Sequence, residues 1–184
     1  MGQVPPRIAT LDLFPGHPVG IQRHNGFLDG MGLASAGEND KELARPPEVV
    51  CMKDTNGDRE MARAAMATCL AEHPDINVVY TINEPAAAGA RAALDAAGAH
   101  NVPILSIDGG CDGVQAVAKE DVLATAQQYP MAMAIEGVAA GAAYARTGVR
   151  PNRRLDTGVV LITNHEQRGI DSRNTVYGKM SCWG

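Results

Sequence analysis

Short, nearly continuous apolar runs alternate with longer amphipathic segments along most of the chain. Such runs are typical of strands buried on both faces of a parallel sheet, and we predict strands at 7–13, 49–53, 77–82, 103–108 and 122–127. The segments between them predict helices at 22–33, 58–72, 85–97 and 113–119, with Gly98 ending the third helix. This alternation predicts right-handed βαβ units around a mostly parallel sheet, which is an α/β fold.

The pattern changes after Tyr129 and Pro130. Residues 131–147, MAMAIEGVAAGAAYART, predict a helix that is apolar on nearly every side, so we expect another surface to cover it. The run is too short to cross a bilayer and is interrupted by Glu136. A basic link, GVRPNRRLD, a strand-like run, TGVVLIT, and a polar tail that ends in SCWG follow it.

Composition narrows the function classes. The chain has 184 residues, of which 45% are hydrophobic and 20% are charged, and these values are typical of a globular domain. The formal net charge is −5 and no basic stripe is present, which argues against a nucleic-acid partner.

The sequence lacks the common catalytic and metal-binding motifs. The four cysteines form no CxxC pair and no histidine lies at zinc-finger spacing, so we predict no structural metal. GxSxG, HExxH and phosphate-binding glycine loops are also missing, and we predict neither a cofactor nor an enzyme. Cys51 and Cys69 lie in an apolar strand and on a helix, where we expect reduced, buried thiols.

Polar residues follow each predicted strand at its carboxyl end. The strands run into Asp54-Thr55-Asn56-Gly57, Asn83-Glu84, Asp108-Gly109-Gly110 and Gln127-Gln128, and the first is followed by Gln22-Arg23-His24-Asn25 at a helix start. In a parallel sheet these strand ends lie along one edge, where open α/β sheets bind ligands. Carboxylate, amide and guanidinium groups together suit a neutral ligand rich in hydroxyl groups, such as a sugar or another polyol.

Each of these residues also has an ordinary structural interpretation. Asn83, Glu84 and Pro85 form a common helix start. Asp108 is a candidate cap for the helix near Gly113, Asp54 and Asn56 suit a turn, and Arg23 suits a surface ion pair. His24 is expected to be a solvated neighbour of the site, and the other histidines lack ligand spacing.

Several segments together carry a resemblance to a known family. They are PGHPVGIQRHNGFLDGM, then NGDREMARAAMATCLAEHPDINVVYTINEPAAAGARAALDAAG, then VPILSIDGGCDGVQAV and ATAQQYP. The chain resembles the ribose- and fructose-type periplasmic sugar-binding proteins of bacterial ABC transporters over nearly its whole length. The effector domains of sugar-responsive repressors share this outline, so a repressor-like or sensor module is the alternative.

The resemblance implies a Rossmann-like three-layer fold with a parallel sheet, as in the carboxyl-terminal lobe of a type I periplasmic binding protein. It implies a monosaccharide or polyol ligand and binding without catalysis. The matching positions imply ligand contacts from Arg23, Asn83, Asp108 and Gln128. The loop after the second strand supplies an aromatic residue in ribose-specific members and reads Thr55-Asn56-Gly57 here, and Asn56 is also a predicted ligand contact. The GGC and CWG contexts imply a disulfide between Cys111 and Cys182 in an oxidising compartment.

The resemblance also sets expectations for the organisation of the chain. We expect residues 1–128 to form the carboxyl-terminal lobe, 129–160 to supply a helix and a strand to a missing amino-terminal lobe, and 161–184 to return as a tail. The full-length family is periplasmic and works with an ABC permease, whereas no signal peptide is visible at the start of this chain. Without its second lobe, we expect the chain to form a homodimer through the uncovered helix at 131–147.

Overall fold

The computed structural model describes residues 4–35, 41–151, 155–166 and 168–184. The strands in this part of the chain are β1 (Ile8–Asp12), β2 (Val49–Asp54), β3 (Val78–Thr81), β4 (Ile104–Asp108), β5 (Ala124–Gln127), β6 (Val160–Thr163) and β7 (Ser172–Arg173). The helices are α1 (Pro18–Gly30), α2 (Arg59–Glu72), α3 (Glu84–Ala96), α4 (Cys111–Ala118), α5 (Pro130–Thr147) and α6 (Thr175–Ser181).

The strands form one mixed sheet in the order β2-β1-β3-β4-β5-β6-β7. The pairs among β1 to β5 are parallel, β6 runs antiparallel to β5, and β7 is parallel to β6. The predicted α/β fold with a mostly parallel sheet is confirmed. The strand-like run TGVVLIT contains β6, whereas β7 and α6 lie in the tail, for which the sequence pattern predicted no element.

Helices cover both faces of the sheet, and this produces the predicted three layers. The apolar cluster on the side of α2 and α3 includes Leu11, Met66, Val79, Leu94 and Ile104. The opposite cluster joins Ile8 and Val49 to Leu28 of α1. Strand residues of alternating direction thus contribute to both clusters, which explains why the strand sequences are apolar throughout.

Two helix starts differ from the predicted ones. Helix α1 begins at Pro18 rather than Gln22, because proline suits the first helical turn, where a backbone N–H has no intrahelical partner. Helix α4 begins at Cys111 with Gly110 as its N-cap, so Asp108 does not cap it. Gly98 has φ +72° and directly follows the C-cap of α3, as expected for a glycine that ends a helix.

The prediction of reduced thiols at Cys51 and Cys69 is wrong. Cys51 on β2 and Cys69 on α2 are both buried, and they form a disulfide with a Cα–Cα distance of 5.7 Å. The apolar pattern predicted the burial of each residue but not their meeting across two elements. A second disulfide joins Cys111 and Cys182, the pair that the resemblance implied, and ties the tail to the start of α4.

Helix α5 differs from the other long helices because none of its residues is buried. Met131, Ile135 and Val138 are 76%, 60% and 73% exposed. The resemblance also implies a strand within 129–160 that belongs to the second lobe. Among the described residues of this range, the only strand residue is Val160, which begins β6 and pairs with β5 of the same sheet. Within the described part of the chain, no helix combines the length and apolar character that a membrane span requires.

Candidate functional site

The carboxyl ends of β1 to β5 meet at one edge of the sheet, and the loops that leave this edge carry the polar residues singled out by the sequence. Parallel pairing of these strands makes this edge common to all of them. We call this region the carboxyl edge. The predicted ligand contacts in this region are Arg23, Asn56, Asn83, Asp108 and Gln128, and Glu84 lies beside them.

Arg23 joins three elements at the carboxyl edge. It extends from α1, where its Nη1 donates to the Ile82 carbonyl at 2.8 Å and its Nη2 donates to Asp108 Oδ1 at 2.9 Å. The side chains of Arg23 and Asp108 are only 20% and 15% exposed. The ion pair is therefore partly desolvated, and the guanidinium is fixed between the ends of β3 and β4.

Asp108 is the last residue of β4 and receives two donors on one oxygen. Gln128 Nε2 donates to Asp108 Oδ1 at 2.7 Å, and Arg23 donates to the same atom. Among the described residues, no donor contacts Asp108 Oδ2, so this atom can accept a hydrogen bond from a ligand. Burial raises the pKa of Asp108 above its ordinary value, although the charge and hydrogen bond of Arg23 act in the opposite direction.

Asn83 lies at the carboxyl edge and also starts a helix. Its Oδ1 accepts from the Ala86 backbone N–H, which makes it the N-cap of α3, and its Nδ2 donates to the Gly57 carbonyl at 3.0 Å. The helix-start interpretation is thus correct, and the same side chain fixes the loop after β2. Each end of the amide retains one further hydrogen-bonding position.

Asn56 is the sequence-predicted residue with the weakest link to the others. It is exposed, it has φ 52° in the turn between β2 and α2, and its neighbour Gly57 is the residue that Asn83 binds. Asparagine tolerates this left-handed conformation better than most residues do. The turn interpretation accounts for Asn56, whereas direct contacts bring together Arg23, Asp108 and Gln128.

Glu84 directly follows Asn83, and its side chain contacts other elements. Its carboxylate accepts from the Gly109 and Gly110 backbone N–H groups at 2.8 and 3.1 Å and from Thr125 Oγ1 at 3.0 Å. Burial raises the pKa of Glu84 from 4.5 to about 7. The sequence patterns considered above did not predict this role for Glu84. The available signal was the glycines of IDGGCDG, which leave room for a neighbouring side chain.

His24 is buried and the expectation of a solvated side chain is wrong. Its Nδ1 lies 2.8 Å from Asp12 Oδ1, and its Nε2 lies 2.7 Å from the Ala44 carbonyl. Burial lowers the pKa of His24, but the hydrogen bond and charge of Asp12 outweigh this effect and the pKa is raised overall. The spacing of His24 from Ile21 and Leu28, at three and four residues, was the available signal that it lies on the buried face of α1.

An open groove of about 700 Å³ runs between α3 and α4, beside the carboxyl edge. Glu84, Asp108 and Gly110 lie at its end nearest the edge, and Arg59, Asp112 and Trp183 also line it. In the described residues, no group of three or more histidine, cysteine, aspartate or glutamate side chains has a metal-binding arrangement.

Comparison with known proteins assigns the family. Residues 3–148 match the periplasmic binding protein domain family. The chain belongs to this family. The relationship inferred from the sequence motifs is therefore confirmed.

Curated relatives of this chain carry names that refer to small polyhydroxylated molecules. The D-apiose import binding protein of Paraburkholderia graminis is 32% identical over 127 residues, which are 67% of this chain and 41% of the relative. The ribose import binding protein of Escherichia coli is 33% identical over 90 residues, or 49% of this chain and 30% of the relative. The xylitol-binding protein of Mycolicibacterium smegmatis is 37% identical over 107 residues, which are 56% of this chain and 31% of the relative. The chain spans less than half the length of each relative.

Solved structures share the fold of this chain. A galactofuranose binding protein superposes with a TM-score of 0.73 at 22% identity, covering 86% of this chain and 52% of its own length. A Mycobacterium smegmatis protein in complex with β-D-fucofuranose has a TM-score of 0.72 at 21% identity, and the match covers 96% of this chain and 51% of that protein. At these identities the likeness supports the family fold, in which this chain corresponds to about half of each structure.

Proposed function

We propose that this chain is a sugar-binding lobe of the solute receptor of an ABC importer, and that the carboxyl edge binds a monosaccharide or polyol. The observation that carries the proposal is the cluster of Arg23, Asp108 and Gln128, in which side chains from three separate segments meet at one atom, Asp108 Oδ1. This fixes the orientation of Asp108 before a ligand arrives, which lowers the ordering cost of binding.

The charge balance of the cluster favours a neutral ligand. Arg23 and Asp108 compensate each other, so an anionic ligand would have to compete with the aspartate for the guanidinium. Groups that can still accept or donate include Asp108 Oδ2 and the two ends of the Asn83 amide, which suit hydroxyl groups. A hydrogen bond of a hydroxyl group to the charged carboxylate contributes about 1.5–3 kcal/mol where water is excluded.

The relatives support the same chemical class. D-apiose, ribose and xylitol appear in the names of the related proteins, and all three are small, neutral and rich in hydroxyl groups. We infer a ligand of this class for the present chain and binding without a chemical step. Sugar recovered unchanged after prolonged incubation with the chain is the expected result.

The arrangement of the chain is proposed to follow the two-lobed family. In this proposal residues 1–128 form one wall of the cleft, α5 crosses to a second lobe, and residues 161–184 pack on the first lobe. The apolar, exposed surface of α5 is the feature that requires such a cover. The whole receptor would operate in the periplasm and deliver sugar to its ABC permease.

For the 184-residue chain on its own, we propose that a second copy covers α5 and forms a homodimer. Burial of Met131, Ile135 and Val138 removes exposed apolar surface from water, which favours association at about 25 cal/mol per Å². Light scattering over a range of protein concentrations is expected to show a dimer, and a monomer at all concentrations would contradict this part of the proposal.

Isothermal calorimetry with D-apiose, ribose and xylitol tests the proposed function. Weak binding of at least one of them is expected, because one wall of the cleft supplies only part of the contacts. Asp108→Asn is expected to reduce the affinity by about tenfold or more, as one charge-assisted hydrogen bond is weakened.

Asp112→Asn is the matched control, because Asp112 is exposed in the first turn of α4, close in sequence to Asp108. Its affinity should equal that of the unmodified chain. Equal loss in both variants, or no heat with any neutral polyol, would overturn the proposed site. A DNA-binding helix-turn-helix encoded immediately upstream would instead indicate the effector half of a repressor.

A further inference from the structure

Glu84 is a mostly buried carboxylate at the carboxyl edge that touches none of the groups assigned to the ligand. It is the first residue of α3, and it reaches across to the loop between β4 and α4. Its Oε1 accepts from the Gly109 N–H and from Thr125 Oγ1, and its Oε2 accepts from the Gly110 N–H. Every one of these partners is a donor, so the ionised carboxylate is the form that satisfies all three.

The loop is built around this carboxylate. A Cβ atom on Gly113 would lie 1.7 Å from Glu84 Oε1, and a Cβ atom on Gly110 would lie 3.0 Å from Oε2. Gly109 has φ +68° and packs on Gln127, whose Nε2 donates to the Gly109 carbonyl at 2.8 Å. Because the glycines of IDGGCDG lack a Cβ atom, Glu84 can pack against Gly110 and Gly113, and Gln127 can pack against Gly109.

The conformation of this loop determines where Asp108 points. Asp108 has φ +125°, a region that residues with a side chain rarely adopt, so neighbouring contacts must hold it there. The hydrogen bonds from Glu84 act on the next two residues of the chain, Gly109 and Gly110. They therefore fix the turn that presents Asp108 to Arg23 and Gln128.

We propose that Glu84 is a positioning residue of the sugar site, whose ionised carboxylate holds the Asp108–Gly110 loop in the conformation that binds the ligand. The proposal rests on the proposed function for its ligand, but the hold on the loop can be measured without one. It assigns Glu84 an indirect role in affinity, with no contact to the sugar.

Protonation of Glu84 would weaken the hydrogen bonds that fix the Asp108–Gly110 loop. Protonation removes the negative charge that accepts these bonds, and a proton on Oε2 faces the Gly110 N–H, which can only donate, so the bonds to the loop are weakened. The pKa of Glu84 is raised to about 7, because burial and the charge of Asp108 on β4 together outweigh the opposing bonds from Thr125, Gly109 and Gly110. Arg59 of α2 and Asp112 of α4 line the same groove. Sugar affinity is thus expected to fall as the pH drops below neutrality.

Backbone amide NMR spectra of the chain without ligand, recorded over a pH series, test the hold directly. The Gly109 and Gly110 amide signals are expected to titrate with a midpoint near pH 7. Glu84→Gln should abolish this titration, and Asp108→Asn should preserve it, which separates the two neighbouring carboxylates. Thr125→Val removes one donor to the charged form and should move the midpoint upward, which provides a test in a variant that keeps Glu84.

Titration of the same samples with D-apiose, ribose and xylitol completes the test. Glu84→Gln is expected to weaken sugar binding by about tenfold at neutral pH, because charge-assisted hydrogen bonds to the loop are lost, and to flatten the dependence of sugar affinity on pH. Glu60→Gln is the matched control, since Glu60 is an exposed residue of the first turn of α2. Glycine amides that titrate with Glu84 while no sugar binds would support the hold and overturn the proposed function. Glycine amides that do not titrate, or unchanged affinity in Glu84→Gln, would overturn the positioning role.

Discussion

The carboxyl edge and helix α5 are both accessible to solvent, yet they differ in how their side chains are satisfied. At the carboxyl edge, Arg23, Asn83, Glu84 and Asp108 each have hydrogen-bond partners from other elements. On α5, large apolar side chains are exposed and no residue of the helix is buried. The edge is organised by contacts between elements of the sheet and its helices, whereas the exposed apolar side chains of α5 lack such contacts among the described residues.

This difference has consequences for what each region contributes to the molecule. The polar residues at the edge hold one another in place through bonds to Asp108 and its loop, so their arrangement is set without a ligand. The apolar residues of α5 carry no such constraint, and their role depends on the surface that covers them. Changes at the two regions are therefore expected to have separate effects, on stability and sugar affinity at the edge and on association at α5.

The largest expected effect comes from the buried pair beneath the edge. Asp12→Ala leaves the buried His24 without its carboxylate partner and is expected to lower the free energy of unfolding by about 3–5 kcal/mol. Urea denaturation measures the change. Asp12→Asn should cost less, because an amide can still hydrogen-bond to the neutral imidazole.

Asp54→Ala is the control for Asp12→Ala, since Asp54 is exposed and pairs with Asp12 in the register of β1 and β2. Its expected effect is within about 0.5 kcal/mol. Equal destabilisation by the two alanine variants would show that the Asp12–His24 pair does not support the edge.

The next largest effect is expected from the disulfide that ties the tail to the edge. Replacing both Cys111 and Cys182 with serine should lower the free energy of unfolding by about 2–4 kcal/mol. Without the disulfide, the tail is held less firmly, which weakens the 3.0 Å hydrogen bond from the Cys111 N–H to the Trp183 carbonyl. Tryptophan fluorescence during denaturation would report this, and an unchanged unfolding midpoint would contradict it.

Substitutions on α5 should affect association without affecting the lobe. Ile135→Lys combined with Val138→Lys is expected to weaken self-association by about tenfold or more, because both side chains are exposed and apolar. The free energy of unfolding of the monomer should change by no more than about 0.5 kcal/mol. Analytical ultracentrifugation and urea denaturation measure the two quantities, and a large loss of stability with unchanged association would remove the distinction drawn here.

The smallest expected effect is a dependence of stability on pH that originates at the edge. The pKa of Glu84 is raised from 4.5 to about 7 in the folded chain, so the folded state binds more protons than the unfolded state between these values. Its contribution to stability is full below about pH 4.5, decreases as the pH rises toward 7 and is lost above it.

The raised pKa of His24 acts in the same direction at higher pH, with stability lost as the pH passes through its folded value. Thermal unfolding from about pH 5 to about pH 8 measures the combined effect. Glu84→Gln should reduce the dependence in the lower part of this range. Stability that rises steadily with pH would contradict the assignment of a raised pKa to Glu84.

The sequence predicts the fold and the location of the edge well, and for the same physical reason. Buried parallel strands need apolar residues on both faces, so the strands are visible as apolar runs, and their carboxyl ends must meet at one edge. The meeting of Arg23 and Asp108 follows from this topology, although they are far apart in sequence.

The direction of individual side chains was harder to predict because it depends on packing between elements. The residues next to Glu84 do not indicate that it turns toward the loop after β4, and the signal lies in the glycines of that loop. No local pattern shows that Cys51 on β2 meets Cys69 on α2. The prediction of a solvated His24 is wrong because polar character favours a solvated position, whereas the helical spacing of His24 from Ile21 and Leu28 places it on the buried face. The buried face of α1 includes it, where Asp12 and the Ala44 carbonyl satisfy both ring nitrogens.

The central claim is that the carboxyl edge binds a neutral sugar through the cluster around Asp108, and NMR mapping of a sugar titration tests it most directly. With D-apiose, ribose or xylitol, saturable shifts are expected at the Gly109 and Gly110 amides and at the side-chain signals of Asn83 and Gln128, and Asp108→Asn should suppress them. Saturable shifts confined to residues away from this edge, or identical shifts in Asp108→Asn, would contradict the account.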